Sequence, residues 1–221
     1  MSTAILSYPR SGNTWVRYII EFLSKKPTKG YDDKGDRALG LKNNIGVDMK
    51  APPIAYKSHK EILNSADKII VIVRDYKEAI TRHGKESRQI APDKMKAHFI
   101  RETQGKEYRG VDYITVLEAY DNHQADKLLV YYEDLISHPR REIKRICTFM
   151  DISDTYMHAF FNDLERHKKM SLKSYAAGSH TKGVNLHFHA ANLNKNFVKF
   201  MTDHIKNKHP EIYKKYLTRY G

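Results

Sequence analysis

The stretch Tyr8-Pro9-Arg10-Ser11-Gly12-Asn13-Thr14-Trp15 concentrates groups suited to holding an oxyanion. It interrupts an apolar run at residues 4–7, and a helical pattern resumes at once. A turn at the mouth of a helix aims backbone N–H groups outward, where the helix dipole favours negative charge. Gly12 lets the backbone approach closely, while Ser11, Asn13 and Thr14 add donors. Arg10 supplies a planar cationic fork that matches phosphate or sulfate oxygens. An ordinary capped helix after a turn accounts for the same residues, so the stretch alone leaves both readings open. The Walker pattern GxxxxGK[ST] is absent, which argues against an ordinary ATPase or GTPase.

Three further apolar runs end in chemistry-bearing residues: Lys57-Ser58-His59, Arg74-Asp75 and Tyr132-Glu133-Asp134. His59 has an ordinary pKa of about 6.5 and can accept a proton near neutral pH. Lys57 precedes it by two residues, which places both side chains on one face of an extended segment. In open parallel sheets ligands bind beyond the carboxyl ends of the strands, so four such endings together predict a site along one edge.

The elements that must position these groups follow from hydrophobic patterning. Residues 4–7, 54–57, 69–73 and 128–131 read as strands; "KIIVIVRD" and "KLLVYYED" are continuous rather than alternating, as in strands buried on both faces. Helical patterns cover 14–24, 76–83, 92–102, 112–122, 140–150, 153–167 and 192–208, with a short one at 210–219. Alternating strands and helices predict an α/β fold with a mostly parallel central sheet flanked by helices, formed by residues 1–221 as a single domain. Residues 25–51 and 171–191 read as long loops, which in compact domains are more often functional than idle.

Composition narrows the field. The net charge of +13 fits either a nucleic-acid binder or an enzyme whose basic cleft gathers polyanionic substrates. Much of the excess is scattered lysine, as in "KKPTKG" and "IKNKHPEIYKK", which favours a solvated surface over a nucleic-acid footprint. The single cysteine, Cys147, excludes a disulfide framework. No apolar run approaches the ~20 residues that span a bilayer, and the first residues lack signal-peptide character, so a cytoplasmic location is expected. His180, His187 and His189 lie close in sequence but have no cysteine partners, and no metal is expected.

"YPRSGNTW" resembles the phosphosulfate-binding loop of the sulfotransferase family, whose usual forms are PKSGTTW and PRSGTTW. "KIIVIVRDYKEAITR" is similar to the family's second signature, "LLVYYEDLISHPRREIKRICTFMDI" to its YEDL segment, "YKSH" to its Lys-Thr-His, and "HTKG" to its late Arg-Lys-Gly loop. The matches occur in family order over residues 5–183; the resemblance, to the cytosolic-type domain, implies a P-loop-like, three-layer α/β fold and the donor 3′-phosphoadenosine 5′-phosphosulfate. The resemblance implies that Arg10, Ser11, Gly12, Asn13 and Thr14 cradle the 5′-phosphosulfate and that Trp15 stacks on adenine. It further implies that Arg74 holds the 3′-phosphate, that Tyr132 sits near the purine, and that Lys182 and Gly183 close over the 3′-phosphate.

The chemistry so implied is sulfuryl transfer to a hydroxyl or amine. His59 would take the acceptor proton, Lys57 would stabilise charge on the bridging oxygen, and Arg10 would hold the leaving oxygens. There are departures. Tyr76 stands where the family has proline, and Thr181 where it has arginine. The family serine eight residues after the signature arginine falls on Arg82, with Thr81 one position earlier; Thr81 is the favoured contact because "EAIT" reproduces the family's apolar spacing. The expected partner is a small-molecule or glycan acceptor, with no nucleic acid and no membrane. The competing readings are a P-loop-like nucleotide or small-molecule kinase and a non-catalytic basic nucleic-acid-binding module.

Overall fold

The computed structural model describes residues 2–30, 45–59, 66–84, 90–105, 112–176 and 193–221. Five strands form one parallel sheet: β1 (Thr3–Ser7), β2 (Thr28–Gly30), β3 (Ala55–Ser58), β4 (Lys68–Val73) and β5 (Asp126–Tyr131), in the order β2-β3-β1-β4-β5. Every pairing is parallel, with Leu6 opposite Ser58 and Val71, Ser7 opposite Ile72, and Val73 opposite Tyr131. The carboxyl ends of β1, β3, β4 and β5 therefore stand in a row, as the sequence predicted. The central β1 is flanked on opposite sides by strands reached in opposite directions, which makes it the topological switch point where such sheets bind ligands.

The continuous apolar runs are explained by burial on both faces. Ala4, Leu6, Val71 and Val73 face one cluster, packed by α2 (Tyr76–Arg82), α3 (Met95–Arg101), α4 (Tyr113–Asn122) and α9 (Lys195–Lys208). Ile5, Ile70, Ile72 and Val130 face the other, packed by α1 (Asn13–Ser24), α5 (Tyr132–Ser137), α6 (Pro139–Phe149) and α7 (Met157–Asn162). In α1 the buried Val16, Ile19, Ile20 and Leu23 recur at helical spacing, and the helix stops where Lys25 turns left-handed at φ 56°. Asp75 caps α2 by accepting from the Lys77 N–H at 2.9 Å, and Asp112 caps α4 by accepting from the Thr115 N–H at 2.7 Å. Cys147 lies among the buried residues of α6, where burial pushes its thiol up to about 11.

Three expectations are corrected. The stretch 25–51 is not wholly loop, because β2 lies within it. Two buried residues of α1 hold that strand: Thr28 donates its N–H to Glu21 Oε1 at 3.0 Å, and Arg17 Nε donates to Thr28 Oγ1 at 2.7 Å. The helix expected at 153–167 is two, since the chain leaves helical geometry at Asp163 before α8 (Leu164–Ala176) begins. That second helix also carries the chain through 171–176, which had read as loop.

Candidate active site

The turn from β1 into α1 has an unusual backbone. Arg10 and Gly12 both adopt positive φ, at 70° and 96°. For Arg10 this is a sparsely populated state that persists where surroundings enforce it. Gly12 is required twice over. Its φ suits glycine, and a Cβ there would stand 2.3 Å from Tyr132 Cδ2 and 2.5 Å from Cε2. The Gly12 carbonyl accepts from the Trp15 and Val16 N–H groups, closing the first turn of α1, and no side chain caps that helix. The initial N–H groups of an α-helix lack intrahelical partners, so this end is a natural anion seat. Beside it the Ser11 hydroxyl is buried, 1% exposed, and has no hydrogen-bond partner among the described residues.

His59 follows β3 directly and reaches across to β1. Its Nδ1 lies 2.7 Å from the Ser7 carbonyl oxygen and 3.5 Å from the Ser7 hydroxyl. A carbonyl can only accept, so Nδ1 carries the proton and Nε2 is left with its lone pair. Asn13 Nδ2 donates to the same Ser7 hydroxyl at 3.0 Å, which ties the oxyanion turn to the imidazole. Burial, and then the charge of Lys57, lower His59 to about 3, partly offset by the bond to Ser7. The imidazole is accordingly neutral at physiological pH, the state a general base requires.

Arg74 follows β4 and lies almost fully buried at 8% exposure. Its Nη1 donates to the Arg10 carbonyl at 3.1 Å, its Nη2 to Glu78 Oε1 at 2.7 Å, and its guanidinium lies 4.4 Å from the Tyr132 ring centroid. Its Nε is buried with no partner among the described residues. The cation is thus aimed by three different elements while one donor stays available. Arg82 Nη1 approaches the same Glu78 oxygen at 3.6 Å, so Arg74 and Arg82 share one carboxylate. The Thr81 hydroxyl is fully buried and has no partner among the described residues.

Trp15 is 7% exposed, with ring centroids 5.8 Å from Tyr18 and 5.9 Å from Phe160, and its indole Nε1 has no partner among the described residues. Tyr132 opens α5 and packs between Gly12 and Arg74. Its acidic neighbours serve the scaffold. Glu133 accepts from the Asp75 N–H at 3.0 Å and the Tyr220 hydroxyl at 2.6 Å, while Asp134 holds Arg219 through two bonds at 2.6 and 2.8 Å. Glu133, held by the C-terminal turn, thereby ties the chain just after β5 to the end of β4. On the other flank Tyr8 donates to buried Glu102 at 2.8 Å, and Glu102 also lies 3.6 Å from His98 Nδ1. Lys182, Gly183 and His180, His187 and His189 lie outside the described residues; among those described, no group of three or more His, Cys, Asp or Glu side chains could hold a metal.

Sequence reasoning missed Ser7, Asn13 as a link to His59, and Glu78. Only Glu78 carried a legible signal: it stands four residues after Arg74 and four before Arg82, the spacing that meets on a helix face.

A family model described as the sulfotransferase domain matches residues 2–221. The chain belongs to the sulfotransferase family. It is similar to rat sulfotransferase 2A6, 27% identical over 168 residues, which cover 66% of this chain and 58% of that protein. It is also similar to the WSCD family member GA21586 of Drosophila pseudoobscura pseudoobscura, 26% identical over 68% of this chain and 50% of that one. The chain therefore spans roughly half to three-fifths of the curated relatives it matches. Among solved structures, mouse sulfotransferase SULT7A1 complexed with PAP superposes with a TM-score of 0.65 at 16% identity, covering 100% of this chain and 89% of that one. A retinol dehydratase in a complex with retinol and PAP gives 0.59 at 13%, covering 97% and 81%. These likenesses establish the fold.

Proposed function

We propose that this sulfotransferase-family chain acts as one domain that moves a sulfuryl group from 3′-phosphoadenosine 5′-phosphosulfate to a hydroxyl or amine of a small-molecule or glycan acceptor. The observation that carries the reading is the bond from Arg74 to the Arg10 carbonyl, which couples two cationic positions, one at the helix-mouth turn and one at the end of β4. A nucleotide bearing anionic groups at both its 5′ and 3′ ends fits that pair. The Ser11 hydroxyl and Arg74 Nε, which have no partner among the described residues, supply donors such a ligand would satisfy.

In this reading the donor carries the activated sulfuryl group, and the chain contributes positions, charge and a proton acceptor. Arg10, Ser11, Gly12, Asn13 and Thr14 would hold the 5′ oxyanions through side chains and helix N–H groups, and Arg10 would offset charge on the leaving oxygens. Arg74 and Arg82 would hold the 3′-phosphate. Shared engagement of Glu78 supports Arg82 over Thr81 for the second contact. Trp15 and Tyr132 would flank the base, and Lys182 and Gly183 would complete the 3′ end. His59 Nε2 would accept the acceptor proton, its Nδ1–H steadied by Ser7, with Lys57 stabilising the developing oxyanion. The retinol and androsterone bound by retinol dehydratase favour small alcohols as the first acceptor class to try. A cytoplasmic location is part of this proposal; separately, among the described residues no helix is long and apolar enough to cross a membrane.

The test is a thermal-shift comparison. The bisphosphate 3′-phosphoadenosine 5′-phosphate (PAP) should stabilise the protein well beyond AMP or ATP, because only it engages both cationic positions. Equal shifts for AMP and PAP would refute the assignment of Arg74 to a 3′-phosphate.

A further inference from the structure

Resting on the donor reading above, we propose that Glu78 is a built-in counter-ion of the 3′-phosphate site, a positioning residue that weakens retention of the spent bisphosphate. The carboxylate meets Arg74 Nη2 at 2.7 Å and Arg82 Nη1 at 3.6 Å through one and the same oxygen. All three side chains are largely buried, at 10%, 15% and 12% exposure, so solvent screens them poorly. The spacing of the three on and just before α2 holds both guanidinium groups toward a common point.

Two consequences follow from that arrangement. Glu78 offsets the repulsion between two cations that would otherwise face each other across a poorly screened gap, so the pair stays assembled when no nucleotide is bound. A phosphate arriving at the same cations brings further negative charge beside the carboxylate and must share or displace its bonds. The carboxylate then opposes the ligand it helped prepare for. This favours release of a product that carries a 3′-phosphate, and it does not touch ligands that lack one.

The experiment compares PAP and AMP binding by calorimetry for wild-type protein, Glu78→Gln and Glu78→Asp, with PAP dissociation followed by stopped flow. Gln keeps an oxygen acceptor for the guanidinium groups and removes the charge. It should tighten PAP by at least about fivefold, the scale of one unit charge about 4 Å away even in bulk water, slow PAP dissociation similarly, and leave AMP affinity unchanged. Asp keeps the charge but withdraws it from the cations, so its PAP-to-AMP affinity ratio should fall between the other two. An unchanged or reduced PAP-to-AMP ratio in Glu78→Gln would overturn the proposal while leaving the donor reading intact. Should Glu78→Gln fail to fold, an Asp variant with a ratio at or below wild type would overturn it equally. Wild-type protein that does not distinguish PAP from AMP would instead overturn the donor reading, and this proposal with it.

Discussion

Gly12→Ala tests whether the oxyanion turn and the β5 end form one unit. Two penalties can be assigned separately. Holding a residue with a Cβ at φ 96° costs about 1–2 kcal/mol relative to right-handed backbone. The new methyl would also lie 2.3 and 2.5 Å from two atoms of the Tyr132 ring, distances no Cβ tolerates, so the ring must move. Moving it breaks the stacking on Arg74 at 4.4 Å, a cation–π contact of about 0.5–2 kcal/mol. The sum is about 1.5–4 kcal/mol, read from the urea midpoint at constant slope. The decisive assay is a double-mutant cycle. With Tyr132→Ala already present the ring penalty is gone, and Gly12→Ala should cost only the backbone part of about 1–2 kcal/mol, a coupling of about 0.5–2 kcal/mol. A Gly12→Ala penalty equally large in both backgrounds would refute the claim that Gly12 exists to admit the tyrosine.

Other expectations follow from the same geometry. His59→Ala should abolish turnover yet leave PAP affinity within a few-fold by calorimetry; retained activity would show that another group, or none, takes the proton. Because His59 is lowered to about 3 in the folded chain against about 6.5 when unfolded, its neutral form contributes stability that is complete above pH 6.5 and lost as pH falls toward 3. The acid limb of kcat/KM due to this base should likewise lie well below pH 6.5, and a midpoint at 6.5 would contradict the burial argument. Arg82→Ala should weaken PAP more than Thr81→Val does, with the Arg82 effect largely holding as salt rises because the side chain is mostly buried; the opposite order, measured by calorimetry, would return the second phosphate contact to Thr81. Tyr8→Phe strips a hydrogen bond from buried Glu102 and should cost about 1–3 kcal/mol of stability in a urea melt.

Patterning along the chain carries the parts of this protein that depend on near neighbours in sequence. Apolar runs bounded by polar endings located β1, β3, β4 and β5, because burial on both faces of a parallel sheet writes itself as consecutive Ile, Val and Leu. The order of those endings foretold the row that the register then built. Gly12 was legible because a left-handed turn before a helix demands its residue type locally. Tertiary structure decided whatever depends on a partner far away in sequence. β2 is three residues without a pattern of its own, and its edge position rests on Arg17 and Glu21 of another element. The tautomer of His59 is set by Ser7, 52 positions earlier, and the aim of Arg74 by Arg10, 64 positions earlier. Glu133, which had read as part of the strand-end site, is bound to a main-chain N–H and to Tyr220, 87 positions later. Local spacing favoured the Thr81 hydroxyl as a phosphate contact; the fold leaves that hydroxyl buried without a partner among the described residues and brings Arg82 to the carboxylate that Arg74 already holds. Periodicity records which face of an element is dry; it does not record which charge waits across the gap, because that depends on how separate elements dock.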